Sequence, residues 1–178
     1  MAFNSQDDFE YERELLALID DFEKKVKNQS KSIFYDIDQW LDIIDFLLSE
    51  EQENEFLDVA INRALQLYPN NLELLIRRIY ILSLSSPEQA CQELEKLIHQ
   101  PEKRWTKSER DLLEYQKGKL LVRLGNYEQA YNIFERVAIL QKNEFVYSQA
   151  AFTAFKTNRC SVATNFLLLA IKHANTLF

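Results

Sequence analysis

Residues 117–134, KGKLLVRLGNYEQAYNIF, decide how the rest of this chain is read. The stretch has the form of two helices joined by a tight turn. Gly118, Leu121 and Leu124 recur every three residues and so form a stripe on the first helix, where a glycine lets a neighbouring backbone approach closely. Gly125-Asn126 supplies the turn, because glycine costs least where a helix must stop and asparagine tolerates the same left-handed geometry. Ala130 and Phe134, a small residue and a large one four apart, share a face of the second helix. Such a pair buries only one side of each helix, so it needs neighbours of its own kind.

Composition extends this reading to the whole chain. At 178 residues there is room for one ordinary domain, or for about five stacked units of ~34 residues. Only 2 Gly and 3 Pro leave little material for turns between strands, while Leu, Glu, Gln, Lys and Ala dominate, which predicts an all-α protein. Asp7-Asp8 lies where a signal peptide would be apolar, and no stretch approaches ~18 apolar residues without a charge. A cytoplasmic protein with no membrane partner is therefore expected. Cys91 and Cys160 stand far apart without metal or redox spacing, and both are read as small buried residues of a reducing compartment.

The net charge of -7 is unevenly spread. Residues 1–60 hold 17 Asp+Glu against 5 Lys+Arg, hence -12, and residues 61–178 hold 11 against 16, hence +5. The bland reading is solvated helix faces that keep the protein in solution. The sharper one is an acidic end that competes with an acidic ligand for the basic part.

In chain order, 7–26 predicts an amphipathic helix carrying Phe9, Leu15, Leu16, Ile19 and Phe22, followed by a polar linker at 28–32. Helices are then expected at 36–48, with Trp40 and Ile44 at helical spacing, and at 56–67, stopped by Tyr68-Pro69. Asn70-Asn71 caps 72–84, and Ser86-Pro87 starts 88–99 with Ala90, Leu94 and Leu97 on its inner face. After a charged connection at 102–107, the remaining helices fall at 108–124, 127–140, 143–157 and 160–175. In the last pair Tyr147, Ala150, Ala151 and Ala154 face inward from the first helix, and Ala163, Leu167 and Ala170 from the second. The expected organisation is an N-terminal acidic helix and linker, 1–31, followed by four helix pairs at about 34–69, 70–101, 102–141 and 142–178, about nine helices in all.

Gly118, Gly125, Tyr127, Ala130 and Phe134 resemble the tetratricopeptide repeat pattern position by position, with Glu114 where that pattern wants an aromatic. Ala64 stands five residues before Pro69, as the small late residue of the repeat does before its proline, and Ala130 and Ala163 are 33 apart. The acidic-aromatic 36–48 and proline-ended 56–67 helices are similar to the opening of small bacterial tetratricopeptide proteins. The resemblance implies a right-handed superhelical stack of helix pairs, an α-α solenoid, whose first helices line a concave groove that binds a partner.

Under that arrangement, positions displaced by about one from the stripe 114, 118 and 121 face the groove. The first two pairs then contribute Asp42, Phe46, Ile76, Arg77, Tyr80 and Ser83. The last two contribute Leu112, Tyr115, Lys119, Val122 and Arg123, then Phe145, Ser148, Gln149, Phe152, Phe155 and Lys156. The predicted partner-binding set is Arg77, Tyr80, Tyr115, Lys119, Arg123, Gln149, Phe152 and Lys156. Tyr80, Tyr115 and Phe152 would form pockets for apolar side chains, and Arg77, Lys119 and Arg123 would hold carboxylates. Chaperone-binding members of the family clasp a C-terminal carboxylate with a Lys/Asn/Asn/Lys/Arg set. Asp42 and Phe46 occupy two of those positions here, which speaks against that ligand.

No nucleophile elbow, glycine-rich phosphate loop, HExxH or Cys/His cluster occurs, so no enzyme, cofactor or metal is expected. His99 and His173 read as helix-end or surface residues. The carboxylates around Asp42, Asp45, Glu50, Glu51 and Glu53 lack the spacing and glycine of a calcium loop. Basic residues between Lys103 and Arg123 alternate with Glu102, Glu109, Asp111 and Glu114, which argues against a nucleic-acid partner. The expected function is a non-enzymatic adaptor that binds a peptide or a helix of another protein in its groove. The alternative is self-association through a terminal helix, with the groove filled in cis. The last helix carries Leu168, Leu169 and Ile171, with Phe178 beyond, and no polar cap, although solenoid ends normally have one.

Overall fold

The computed structural model describes residues 35–49, 55–100 and 105–174, together with Arg13 and Ala17. The described chain is all-helical. Its eight helices are α1 (Tyr35–Ser49), α2 (Glu55–Leu67), α3 (Leu72–Ser85), α4 (Pro87–His99), α5 (Lys107–Arg123), α6 (Tyr127–Leu140), α7 (Glu144–Lys156) and α8 (Cys160–Ala174). The expected helix at 7–26, the linker at 28–32, the turn at 50–53 and residues 101–104 lie outside the described residues. Two compact units meet between Leu74 and Leu75, inside the first turn of α3.

In the first unit α1 packs on α2. Trp40, Ile44, Leu57, Ala60, Ile61 and Ala64 are buried at the helical period, and Leu47 joins them. The end of α2 is local: the Tyr68 amide donates to the Ala64 carbonyl at 2.8 Å, and Pro69 has no amide to continue the ladder. Asn71 then caps α3, its Oδ1 accepting from the Leu74 amide at 3.0 Å.

In the second unit, consecutive helices from α4 to α8 pack on one another. The centre is Phe134, fully buried with Leu121, Ala130 and Ala150. Phe166 of α8 packs against this cluster and against those around Tyr131 and Tyr147. A Cβ placed on Gly118 would lie 2.7 Å from two ring carbons of Phe134. The glycine therefore makes room for a ring, where the sequence suggested a backbone. Glu114, charged where the repeat pattern has an aromatic, pairs with Arg136 of α6 at 3.0 Å, and the adjacent Tyr115 sets its ring edge-on to Phe134 at 5.6 Å. In α8 the side chain facing inward is Phe166. Leu167, assigned that place from the sequence, is half-exposed.

Two turns repeat 33 residues apart. Gly125 (φ 75°) and Asn158 (φ 61°) are both left-handed, and the next amide donates back to the helix in each case: Asn126 to Leu121, and Arg159 to Ala154, both at 2.8 Å. Asn126 itself is right of that region (φ -81°), so each turn needs one left-handed residue. Helices α4, α6 and α8 each place a buried alanine at their fourth position, Ala90, Ala130 and Ala163. Asn158→Ala is expected to lower folding stability by about 1 kcal/mol, and Asn158→Gly to leave it within about 0.5 kcal/mol, both read by chemical denaturation.

Helix starts follow local chemistry too. Thr106 Oγ1 accepts from the Glu109 amide at 3.2 Å, while the Glu109 carboxylate accepts from the Thr106 amide at 2.8 Å. This reciprocal cap starts α5 at Lys107, and the hydrogen bonds from Thr106 hold the Glu109 carboxyl below its ordinary pKa. Asn143 caps α7 by accepting from the Val146 amide at 2.9 Å. Ser86 makes no side-chain cap, and α4 begins instead on the fixed φ of Pro87.

The turn after α7 is clipped to α6. Arg159 makes two hydrogen bonds to Glu128, at 3.0 and 2.9 Å, and lies over the Tyr131 ring, whose hydroxyl donates to Glu135. Burial, then the bond to Glu135, pushes the Tyr131 phenol up to about 12. Because the folded value lies above the unfolded value of 10.0, this phenol adds stability that is complete below pH ~10 and is lost as pH rises through about 12. Absorbance titration should show a tyrosine ionising near pH 12 that Tyr131→Phe removes. The cysteines depart from expectation: Cys91 is half-buried, its thiol pushed up chiefly by burial, and Cys160 is exposed at the start of α8, where a turn residue faces solvent.

Candidate functional site

Residues of three helices, α3, α5 and α7, line a cavity of about 270 Å³ within the second unit. Ile76, Ile79, Tyr80 and Ser83 come from α3, and Gln116, Lys119, Leu120, Val122 and Arg123 from α5; Gln149 closes the α7 side. Within α3 the positions 76, 79, 80 and 83 follow the i, i+3, i+4, i+7 rule for one helical face, and 116, 119, 120 and 123 do the same in α5. Ile76, Ile79, Leu120, Val122 and the Tyr80 ring make most of the exposed wall apolar, and Ser83, Gln116 and Gln149 add polar groups. The charged groups are Lys119 and Arg123, one helical turn apart, with no carboxylate among the lining residues.

Arg123 is held in place from across the cavity. Its Nη1 donates to Ser83 Oγ at 2.5 Å, and the guanidinium lies 5.9 Å from the centre of the Tyr80 ring. Ser83 Oγ in turn donates to the Tyr80 carbonyl at 2.6 Å, so the buried hydroxyl is satisfied on its own helix as well. A guanidinium carries five N–H donors, and one bond to Ser83 fixes its position without consuming that capacity. Cations on other faces are spent differently: Lys117 pairs with Glu95 at 2.9 Å and Arg136 with Glu114.

Beside Gln149 the cavity adjoins an apolar stripe on α7. Phe145 and Phe155 are 68% and 62% exposed, and Phe152 lies between them with its ring edge-on to Tyr127 at 6.1 Å. Lys156 Nζ sits 5.5 Å from the Phe152 ring centre and 5.7 Å from that of Tyr127. From Phe145 to Phe155 the stripe runs about 15 Å along the helix. Each large side chain left in water forgoes burial worth roughly 1.5–3 kcal/mol.

Of the eight residues predicted to bind a partner, Tyr80, Lys119, Arg123 and Gln149 meet at the cavity, and Phe152 and Lys156 stand on the adjoining α7 stripe. Arg77 is half-buried on α3 and is not part of the lining. Tyr115 is displaced inward: its half-buried ring packs with Phe134 and with the Leu121 and Val137 clusters, and burial raises its phenol pKa. The reason is register. Residues 115, 118 and 121 share a stripe, so the ring falls on the glycine side once Glu114 turns toward Arg136. Ile79, Gln116 and Leu120 line the cavity without having been singled out, although their three- and four-residue spacing from Ile76, Lys119 and Arg123 was available. Asp42 and Phe46 are exposed on α1 in the first unit.

Among the described residues no group of three or more His, Cys, Asp or Glu is placed to hold a metal ion, and no helix is long and apolar enough to cross a membrane. No family model matches the chain, and no curated protein matches it.

Proposed function

We propose that this protein is a non-enzymatic tetratricopeptide-like scaffold of the cytoplasm, its helix pairs stacked as a right-handed solenoid, which binds a peptide or helix of another protein on the face formed by α3, α5 and α7. The observation that carries the reading is the mostly apolar cavity lined also by Lys119 and Arg123, with Arg123 already oriented by Ser83 and Tyr80. An apolar side chain of the ligand enters the cavity, a neighbouring carboxylate meets the two cations, and the α7 phenylalanines take further apolar groups. The 33-residue recurrence of the Gly125 and Asn158 turns supports the repeat. The reading assigns no catalytic group, cofactor or metal.

The test is selection from a displayed peptide library, followed by anisotropy titration of the enriched peptides. Enrichment of sequences that combine acidic and bulky apolar residues is expected. Tyr80→Ala with Phe152→Ala should weaken them by ~100-fold or more while circular dichroism stays unchanged, since both rings are partly exposed. Peptides indifferent to both substitutions would reject the face.

A further inference from the structure

Helix α8 turns Ala163, Phe166 and Ala170 toward the core and leaves Leu167, Leu168, Leu169 and Ile171 at 50%, 61%, 38% and 58% exposure. The geometry points to a self-association seam here, occupied by α8 of a second copy of this chain. Cys160, Thr164, Leu167 and Ile171 advance by four, three and four residues, the alternation that lays one straight apolar edge against another helix. Leu168 widens that edge. Thr164 is its one hydroxyl, and it donates to the Cys160 carbonyl at 3.0 Å, which satisfies the group on its own helix and leaves the methyl for contact.

Charge selects the occupant. Residues 160–174 contain no Asp or Glu, and Lys172 is the single Lys or Arg; His173 packs back on Tyr147 with ring centres 5.3 Å apart. A strongly acidic or basic partner finds little to pair with on such an edge. A second copy brings an equally uncharged edge of the same length and spacing, and a two-fold axis makes the patch its own complement. Antiparallel pairing about Leu168 sets the two Lys172 residues roughly 12 Å apart along the seam, beyond the ~8 Å screening length at physiological salt. None of these residues belongs to the α3–α5–α7 cavity, so the seam stands or falls independently of the peptide-binding reading.

Sedimentation velocity of the full chain from about 1 µM to about 500 µM should reveal a monomer–dimer equilibrium. Leu168→Glu and Ile171→Lys each place two charges in a two-fold seam and should weaken it by 100-fold or more, on the order of a hot-spot loss counted twice. Both side chains are exposed, so helicity should not change. Maleimide alkylation of wild-type Cys160 gives a readout that needs no variant: its rate should fall as protein concentration rises. A wild-type monomer across the range, a dimer that survives both substitutions, or a concentration-independent alkylation rate would overturn the seam.

Discussion

Phe134→Ala should lower folding stability by about 3–5 kcal/mol, the range for emptying a fully buried aromatic site. The ring touches the Gly118 backbone, meets Tyr115 edge-on and sits with Leu121, Ala130 and Ala150, so its loss opens a void shared by α5, α6 and α7. Gly118→Ala attacks the same contact from the other side. Its new methyl would stand 2.7 Å from two ring carbons, and a completely buried ring has no solvent to swing into. Overpacking of this kind costs about 1–3 kcal/mol, partly offset by the ~1 kcal/mol that alanine gains over glycine in a helix interior. Combining Gly118→Ala with Phe134→Leu should therefore cost less than the sum of the two singles, by at least ~0.5 kcal/mol. Guanidinium denaturation of the four proteins measures that coupling, and strict additivity would mean the glycine and the ring do not press on each other.

The second large effect concerns binding. Lys119→Glu with Arg123→Glu should reduce affinity for an acidic peptide by ~100- to 1,000-fold, because two attractions become two repulsions at the mouth of an apolar cavity. A peptide whose acidic residues are changed to lysine should regain affinity for the doubly substituted protein and for it alone. Arg123→Lys should fall between, since the ammonium keeps the charge but loses the planar stack on Tyr80. Stability should change little in both variants: Ser83 keeps its bond to the Tyr80 carbonyl when Arg123 is gone. Anisotropy at two salt concentrations checks this, with the wild-type affinity falling more steeply as salt rises.

The α8 seam and the cavity also divide the apolar surface of this protein in a useful way. Phe152 lies against Lys156 on a helix that also lends Gln149 to the cavity of Lys119 and Arg123, whereas the helix of Leu167, Leu168 and Ile171 carries Lys172 as its single Lys or Arg and no Asp or Glu. Exposed apolar area of similar size thus has different expected occupants, because charge at the rim sets which partner is tolerated.

Helix positions, stop signals and the 33-residue recurrence were determined by the sequence itself, because they depend on residues three or four apart and on single backbone conformations: Pro69 without an amide, Gly125 in the left-handed region, Asn71 and Asn143 as caps. The Thr106–Glu109 cap is equally local, and it starts α5 at Lys107, one residue before the expected 108. Tertiary structure alone decided between neighbours on a helix. Adjacent side chains point about 100° apart, so a one-position choice, Tyr115 against Glu114 or Phe166 against Leu167, depends on what the packed partner offers: an arginine for Glu114, an alanine-lined gap for Phe166. The cavity belongs to the same category. Arg123 and Ser83 are 40 residues apart and share no periodicity, and only the packing of α5 beside α3 brings the guanidinium to the hydroxyl that orients it.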